Sequence, residues 1–266
     1  MTPRLIATDL DGTLLRSDGT VSRRTVDALR AVADAGLETV LVTARPPRWL
    51  DDLAHVVGAS GVAICGNGAF RYDVAERRVF GVRSIPRGVV TEIVRDLRDQ
   101  VPGTGFAAER HTGLAAESMF AAIHDHPENL VTTPAIELLE DAGVGKLLAR
   151  NPHLTDEEFL AVTTEVVGDR AIVAFSGAGG LAEISAAGVT KAAALAGWCA
   201  ELGVDAADVW AFGDMPNDLP MLTWAGRSFA VANAHEEVLA AATDRAPAND
   251  DDGVAQVLER LVGRTP

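Results

Sequence analysis

The chain has 266 residues, 48% of them hydrophobic and 23% charged, and carries a net charge of −15. That length and balance suit a globular protein of one large domain or two small ones. The acidic surplus argues against nucleic acid and anionic membrane as partners and leaves room for metal cations. No stretch is long and apolar enough to span a bilayer, and the opening MTPRLIATD lacks the apolar core of a signal peptide. Cys65 and Cys199, each in an apolar run, are read as buried thiols in a reducing cytoplasm, with no disulfide.

Near the N-terminus, Leu5–Thr8 is read as a strand whose run Leu5-Ile6-Ala7 has no polar face, as expected of a strand covered on both sides, yet it runs straight into Asp9 and Asp11. Two carboxylates two residues apart point the same way from an extended chain. Their repulsion calls for a cation or a proton between them. RSDG at Arg16–Gly19 reads as a tight turn. Ser22 is the expected N-cap of a helix through about Asp34, with Gly36 as its stop. LETVLVTA (Leu37–Ala44) is a second strand, and PPRWLDDLAHVVG (Pro46–Gly58) reads as a helix opened by proline. GVAICGNG (Gly61–Gly68) is a third strand ending in a glycine-rich turn. The β-α-β-α-β order predicts a parallel sheet with helices on both faces.

The pattern then changes. FRYDVAERRVF (Phe70–Phe80) alternates across a turn like a hairpin, and a helix is expected near Arg87–Val101. Short glycine-punctuated strands, KLLARN (Lys146–Asn151), a helix near Asp156–Val167, AIVAFSG and LAEIS complete an α+β segment. From about Gly188 the α/β pattern returns. It has a helix in TKAAALAGWCAELG (Thr190–Gly203), strands in VWAFGD (Val209–Asp214) and FAVAN (Phe229–Asn233), and a closing helix in DDGVAQVLERLV with Asp251 or Asp252 near its start. The expected fold class is α/β. A Rossmann-like parallel-sheet core, residues 1–80 and 186–266, is interrupted by an α+β domain at residues 81–185.

In an open parallel sheet, ligands bind beyond the carboxyl ends of the strands. At those ends this chain carries Asp9-Leu10-Asp11-Gly12-Thr13, Thr43-Ala44-Arg45, and Gly213-Asp214 followed by Met215-Pro216-Asn217-Asp218, while Thr190-Lys191 opens a helix. Clustered hard carboxylate oxygens suit Mg²⁺. A hydroxyl, a lysine and backbone N–H groups suit phosphate oxygens. A carboxylate can attack phosphorus to give an aspartyl-phosphate, and a metal screens the repulsion between the two anions.

DLDGTL (Asp9–Leu14), VTAR (Val42–Arg45), GVTK (Gly188–Lys191) and GDMPNDLPML (Gly213–Leu222) resemble, in order, the four motifs of haloacid dehalogenase (HAD) phosphatases. GNGA after the third strand, the cap-sized insert and VANAHEEV near the end resemble the Cof-type branch with a C2-type cap. Within the insert the likeness is one of general shape. The resemblance implies Asp9 as nucleophile and Asp11 as the acid that protonates the leaving oxygen and then deprotonates water. It implies Thr43 and Lys191 as holders of the transferring phosphoryl group. Gly12, Ala44, Arg45, Asn67 and Asn217 complete the implied phosphate and substrate contacts. Mg²⁺ would be held by Asp9, the backbone carbonyl of Asp11, and Asp214, with Asp218 as a further, water-mediated partner. The implied partner is a small phosphomonoester, most simply a sugar phosphate, with no nucleic acid and no membrane, acted on by a cytoplasmic monomer or weak homodimer.

Other motif readings fail on spacing. Gly12 follows Asp11 directly, unlike an EF-hand loop, and DAGVGKLL lacks the first glycine and the final hydroxyl of a P-loop. GAGGLA (Gly177–Ala182) leads into a strand-like run and reads as a turn, and His124-Asp125-His126 reads as a solvated loop. Three rivals stay open. A sugar phosphomutase would require a bisphosphate activator. A non-catalytic sugar-phosphate-binding regulator on this fold would have no need of Asp11. A phosphorylatable switch would keep its aspartyl-phosphate.

Overall fold

The computed structural model describes residues 2–53, 56, 61–123, 130–139, 143–174 and 180–263. The chain divides into two compact units, one made of residues 1–80 and 190–266 and the other of residues 81–189.

The first unit is built on an eight-stranded sheet. Its N-terminal part runs β1 (Leu5–Thr8), α1 (Arg23–Asp34), β2 (Glu38–Val42), β3 (Val62–Cys65), β4 (Phe70–Asp73) and β5 (Arg78–Val82). The inserted unit follows with α2 (Arg87–Gln100), β6 (Gly105–Arg110), β7 (Gly113–Glu117), α3 (Ser118–Ile123), β8 (Val131–Thr133), β9 (Lys146–Arg150), α4 (Asp156–Val167), β10 (Ala171–Ala174) and β11 (Leu181–Ala186). The chain returns through α5 (Lys191–Leu202), β12 (Val209–Gly213), α6 (Leu219–Trp224), β13 (Arg227–Val231), α7 (Glu236–Ala241), β14 (Asp244–Ala246) and α8 (Gly253–Val262).

Strand order in the first sheet is β14-β13-β12-β1-β2-β3-β4-β5. Pairing from β14 to β3 is parallel, and β4 turns back antiparallel on β3. Leu5, Ile6 and Ala7 of β1, and Phe212 of β12, are wholly buried, as central strands covered on both faces must be. The chain leaves β1 toward β2 on one side, whereas β12, on the other side of β1, leads away to β13. The loops leaving these neighbours diverge, and a crevice opens at that switch point. α1 begins where Ser22 accepts a hydrogen bond from the Thr25 N–H, and it buries Ala28, Leu29 and Val32.

The inserted unit is a six-stranded sheet ordered β10-β11-β9-β6-β7-β8, antiparallel except for β7 with β8. α4 starts with a capping box between Thr155 and Glu158. Phe120 of α3 joins Ala107, Leu114, Ala116, Leu148 and Leu181 in a core of its own.

One expected element differs. The first part of Pro46–Gly58 forms two 3-10 turns, Pro47–Trp49 and Asp51–Leu53, in place of an α-helix, while Val56 is helical and residues 54, 55, 57 and 58 lie outside the described residues. Pro46 stays extended before Pro47, at ψ 159°, as a residue before proline prefers. Leu50 and Leu53, both buried, lie three residues apart, the repeat of a 3-10 turn.

Candidate active site

β1 delivers Asp9 to the crevice, and the chain then makes one wide turn over Leu10–Leu14, closed by the Leu15 N–H on the Leu10 carbonyl at 2.8 Å. Gly12 sits in that turn at φ +76°, and a Cβ there would lie 2.3 Å from Oδ2 of Asp214. The absent side chain is the space into which the Asp214 carboxylate reaches. Gly213, ending β12, does the same for Asp218, whose Cβ would lie 2.6 Å from an added Cβ.

Asp9, Asp214 and Asp218 are all buried, and each offers an oxygen within 4.8 Å of the others. Lys191, the first residue of α5, reaches into them. Its Nζ lies 2.6 Å from Oδ1 of Asp9 and 2.6 Å from Oδ1 of Asp218. Oδ2 of Asp218 accepts from the N–H groups of Asp214 and Met215, each at 3.1 Å. Both oxygens of Asp218 are therefore engaged in fixing Lys191 and the turn after β12. Thr13 donates its hydroxyl hydrogen bond to Oδ1 of Asp214 at 2.9 Å.

Three carboxylates against one ammonium leave a buried surplus of negative charge. Burial drives the Asp9 carboxyl well above the ordinary range, against the pull of Lys191 and with a further push from Asp218 and Asp214. Burial, offset in part by the Thr13 hydrogen bond, pushes Asp214 up to about 6. Burial alone would discharge Lys191, but Asp218 and Asp9 outweigh it and the ammonium is held charged. A divalent cation would resolve this surplus. The donors are hard oxygens within 4.8 Å of one another, and the Gly12 notch admits the Asp214 carboxylate, so the residues fit Mg²⁺.

Asp11 lies apart from this cluster. Its carboxylate is exposed and gripped at both oxygens by Arg45, with Nε at 2.8 Å and Nη2 at 2.5 Å. The Thr43 hydroxyl accepts from the Arg45 N–H at 3.0 Å, and the Thr43 carbonyl accepts from the Asn67 N–H at 2.9 Å. Asn67 is buried at φ +58°, and its Oδ1 accepts from Nδ2 of Asn217 at 3.3 Å. Ala44 lies between Thr43 and Arg45 at the end of β2. The structure thus joins Asp9, Lys191, Asp214 and Asp218 by direct contact and Asp11 to Arg45. It joins Thr43 to Asn67 and Asn67 to Asn217. Sequence reading did not single out Thr13, although its place two residues after Asp11 was visible. His124–His126 and Gly177–Gly179 lie outside the described residues.

A family model described as haloacid dehalogenase-like hydrolase matches residues 6–258. The Bacillus subtilis protein YxeH is 30% identical over 279 residues, covering 97% of this chain and 98% of its own. The 5-amino-6-(5-phospho-D-ribitylamino)uracil phosphatase YitU of the same organism is 29% identical over 275 residues, covering 97% of each. Among solved structures, a phosphatase of the haloalkanoate superfamily from Bacteroides thetaiotaomicron superposes with a TM-score of 0.82 at 24% identity. It covers 98% of this chain and 95% of its own, a likeness of fold.

Proposed function

The chain belongs to the haloacid dehalogenase-like hydrolases, and we propose that within that family it is a Mg²⁺-dependent phosphomonoesterase acting on small phosphorylated metabolites. The observation that carries this reading is the Lys191 ammonium, 2.6 Å from both Asp9 and Asp218 inside a buried acidic cluster. Such a cluster is costly for stability alone, and it has the charge layout of a phosphoryl-transfer site.

In the proposed mechanism an Asp9 oxygen attacks phosphorus, and the bond from phosphorus to the leaving oxygen breaks. Asp11 gives that oxygen its proton, then removes one from the water that attacks the aspartyl-phosphate. Inorganic phosphate leaves, and Asp9 is regenerated. Thr43, Asn217 and Lys191 hold the phosphoryl oxygens, with Gly12, Ala44, Arg45 and Asn67 completing the substrate contacts. Asp218 keeps Lys191 in place. Both oxygens of Asp11 are engaged by Arg45, so Asp11 reaches the leaving oxygen once the guanidinium has turned toward the incoming phosphate. Asp9, the Asp11 carbonyl and Asp214 would hold Mg²⁺, which would supply positive charge that lowers the repulsion between nucleophile and substrate.

We assign selection of the leaving group to the inserted unit as the cap, and name a sugar phosphate as the first substrate class to try. The name of the YitU relative, a phosphatase for a phosphorylated ribityl compound, supports that choice. Residence in the cytoplasm as a monomer or weak homodimer completes the proposal. The burial of both cysteines, Cys65 and Cys199, supports it, and no helix among the described residues is long and apolar enough to cross a membrane. The test is phosphate release across a panel of phosphorylated metabolites, with and without EDTA. Turnover should vanish on chelation, return with Mg²⁺ and return poorly with Ca²⁺, which favours more ligands at longer distances. Full activity after exhaustive chelation, or no turnover of any phosphomonoester, would contradict the reading.

A further inference from the structure

The turn that carries Asp11 and Gly12 is braced from a distant part of the chain. Nδ2 of Asn233, in the loop after β13, donates to the Gly12 carbonyl at 2.8 Å. Oδ1 of the same side chain accepts from the Asn249 N–H at 3.0 Å. Its partners leave the amide one possible orientation, since a carbonyl needs a donor and an N–H needs an acceptor. Two residues on, the His235 N–H donates to the Asp214 carbonyl at 2.8 Å. A single short loop, Asn233 to His235, is thus bonded to both chain segments that flank the acidic cluster, the Gly12 turn and Asp214. Asn249 adds a separate bond, from Nδ2 to the Leu15 carbonyl at 2.9 Å, which is buried.

We propose that Asn233 is a positioning residue for Mg²⁺, setting metal affinity by fixing the peptide that presents the Asp11 carbonyl. The inference rests on the reading of this site as a Mg²⁺ site. The Asp11 carbonyl belongs to the peptide plane between Asp11, at ψ 123°, and Gly12, at φ +76°. Glycine gives that plane freedom to rotate. Holding the next carbonyl with Asn233 removes this freedom on one side, and β1 removes it on the other. A ligand oxygen held in place binds a small octahedral ion better than one that must be reoriented. The Asn249 bond to Leu15 lies beyond the turn and supports the fold without orienting the Asp11 carbonyl.

The experiment is calorimetric titration of the metal-free protein with MgCl₂, alongside thermal unfolding in EDTA, for wild type, Asn233→Ala and Asn249→Ala. Asn233→Ala should raise the Mg²⁺ Kd about tenfold, the lower end of what outer partners of metal ligands contribute. Its Tm in EDTA should change little, because one lost bond is exposed and the other only partly buried. Asn249→Ala should lower Tm and leave the Mg²⁺ Kd within about twofold. An Asn233→Ala protein that binds Mg²⁺ as wild type does, or an Asn249→Ala protein that loses as much affinity, would overturn the proposal. If Asn233→Ala fails to fold, Asn233→Ser takes its place with the same expectation. Wild type that binds no Mg²⁺ would fell the metal reading itself, a result distinct from equal affinities.

Discussion

Both units bury charge, and they do so differently. In the inserted unit, Lys146 on β9 meets Glu183 on β11 at 2.7 Å, both almost wholly buried, and buried Glu109 stands opposite Lys146 on β6. In the first unit, Lys191 stands against Asp9 and Asp218 with Asp214 beside them, one cation against three carboxylates. Charges set against one another across neighbouring strands are a structural solution, costly to desolvate but held by the strand pairing. An unmatched cluster stays unstable until something positive enters. Burial therefore does not identify the functional charges in this molecule, whereas three carboxylate oxygens converging within 4.8 Å of one another at the strand ends do.

The comparison breaks first at the nucleophile. Asp9→Asn should abolish turnover of p-nitrophenyl phosphate, by about a thousandfold or more, because a neutral amide cannot attack phosphorus. Its Tm without metal should hold or rise, since one repelling carboxylate is gone. Near-native turnover with deamidation excluded would remove Asp9 from the mechanism. A paired set of lysine variants sharpens the contrast. Lys146→Met should cost about 3 kcal/mol of stability whether or not Mg²⁺ is present, as breaking a buried pair does. Lys191→Met should also destabilise the metal-free protein, but Mg²⁺ should recover part of the loss, because among the described residues the acidic cluster that can take the ion lies at that site. Equal responses to Mg²⁺ in the two variants would erase the distinction.

Smaller effects follow at the notch. Gly12→Ala places a Cβ 2.3 Å from Oδ2 of Asp214 at φ +76°. The contact is with the end of a side chain, so Asp214 should swing away and the fold should survive at a cost of about 1 kcal/mol. The main loss should be Mg²⁺ affinity, about tenfold by titration. The smallest effect is in pH. Folded Asp214 keeps its proton up to about 6, against 3.8 for an ordinary Asp. Between those values the folded state binds more protons than the unfolded one, so this contribution to stability is lost as pH rises through the window. Asp9, raised in the same direction, adds to it. Mg²⁺ replaces those protons, so the rise in Tm on adding Mg²⁺ should be larger at about pH 7.5 than at about pH 5. A rise independent of pH would detach the metal from these carboxylates.

Much of the first unit was legible because its strands are continuous apolar runs that end abruptly in polar residues. Leu5–Thr8 before Asp9 and Val209–Gly213 before Asp214 fall where the sequence puts them. Ser22 caps α1 as expected, since an N-cap needs only a local hydroxyl. Periodicity failed where two prolines and a short leucine repeat competed for Pro46–Leu53. β14, Asp244–Ala246, was missed because three residues with two charges carry no strand pattern. At the site, the residue types were readable but their pairings were not. Asp11 with Arg45, Lys191 with Asp218, and Asn233 with Gly12 are contacts between distant segments, created by the strand order. No local rule announces an exposed asparagine such as Asn233.

The central claim is that Asp9 becomes phosphorylated, and it can be tested by trapping that state. Enzyme mixed with radiolabelled substrate and Mg²⁺, quenched in acid within the first turnover and digested, should yield one labelled peptide containing Asp9. The label should be released by hydroxylamine, as an acyl phosphate requires, and should be absent from Asp9→Asn. Phosphate release at the normal rate with no label on that peptide at any quench time would contradict the account.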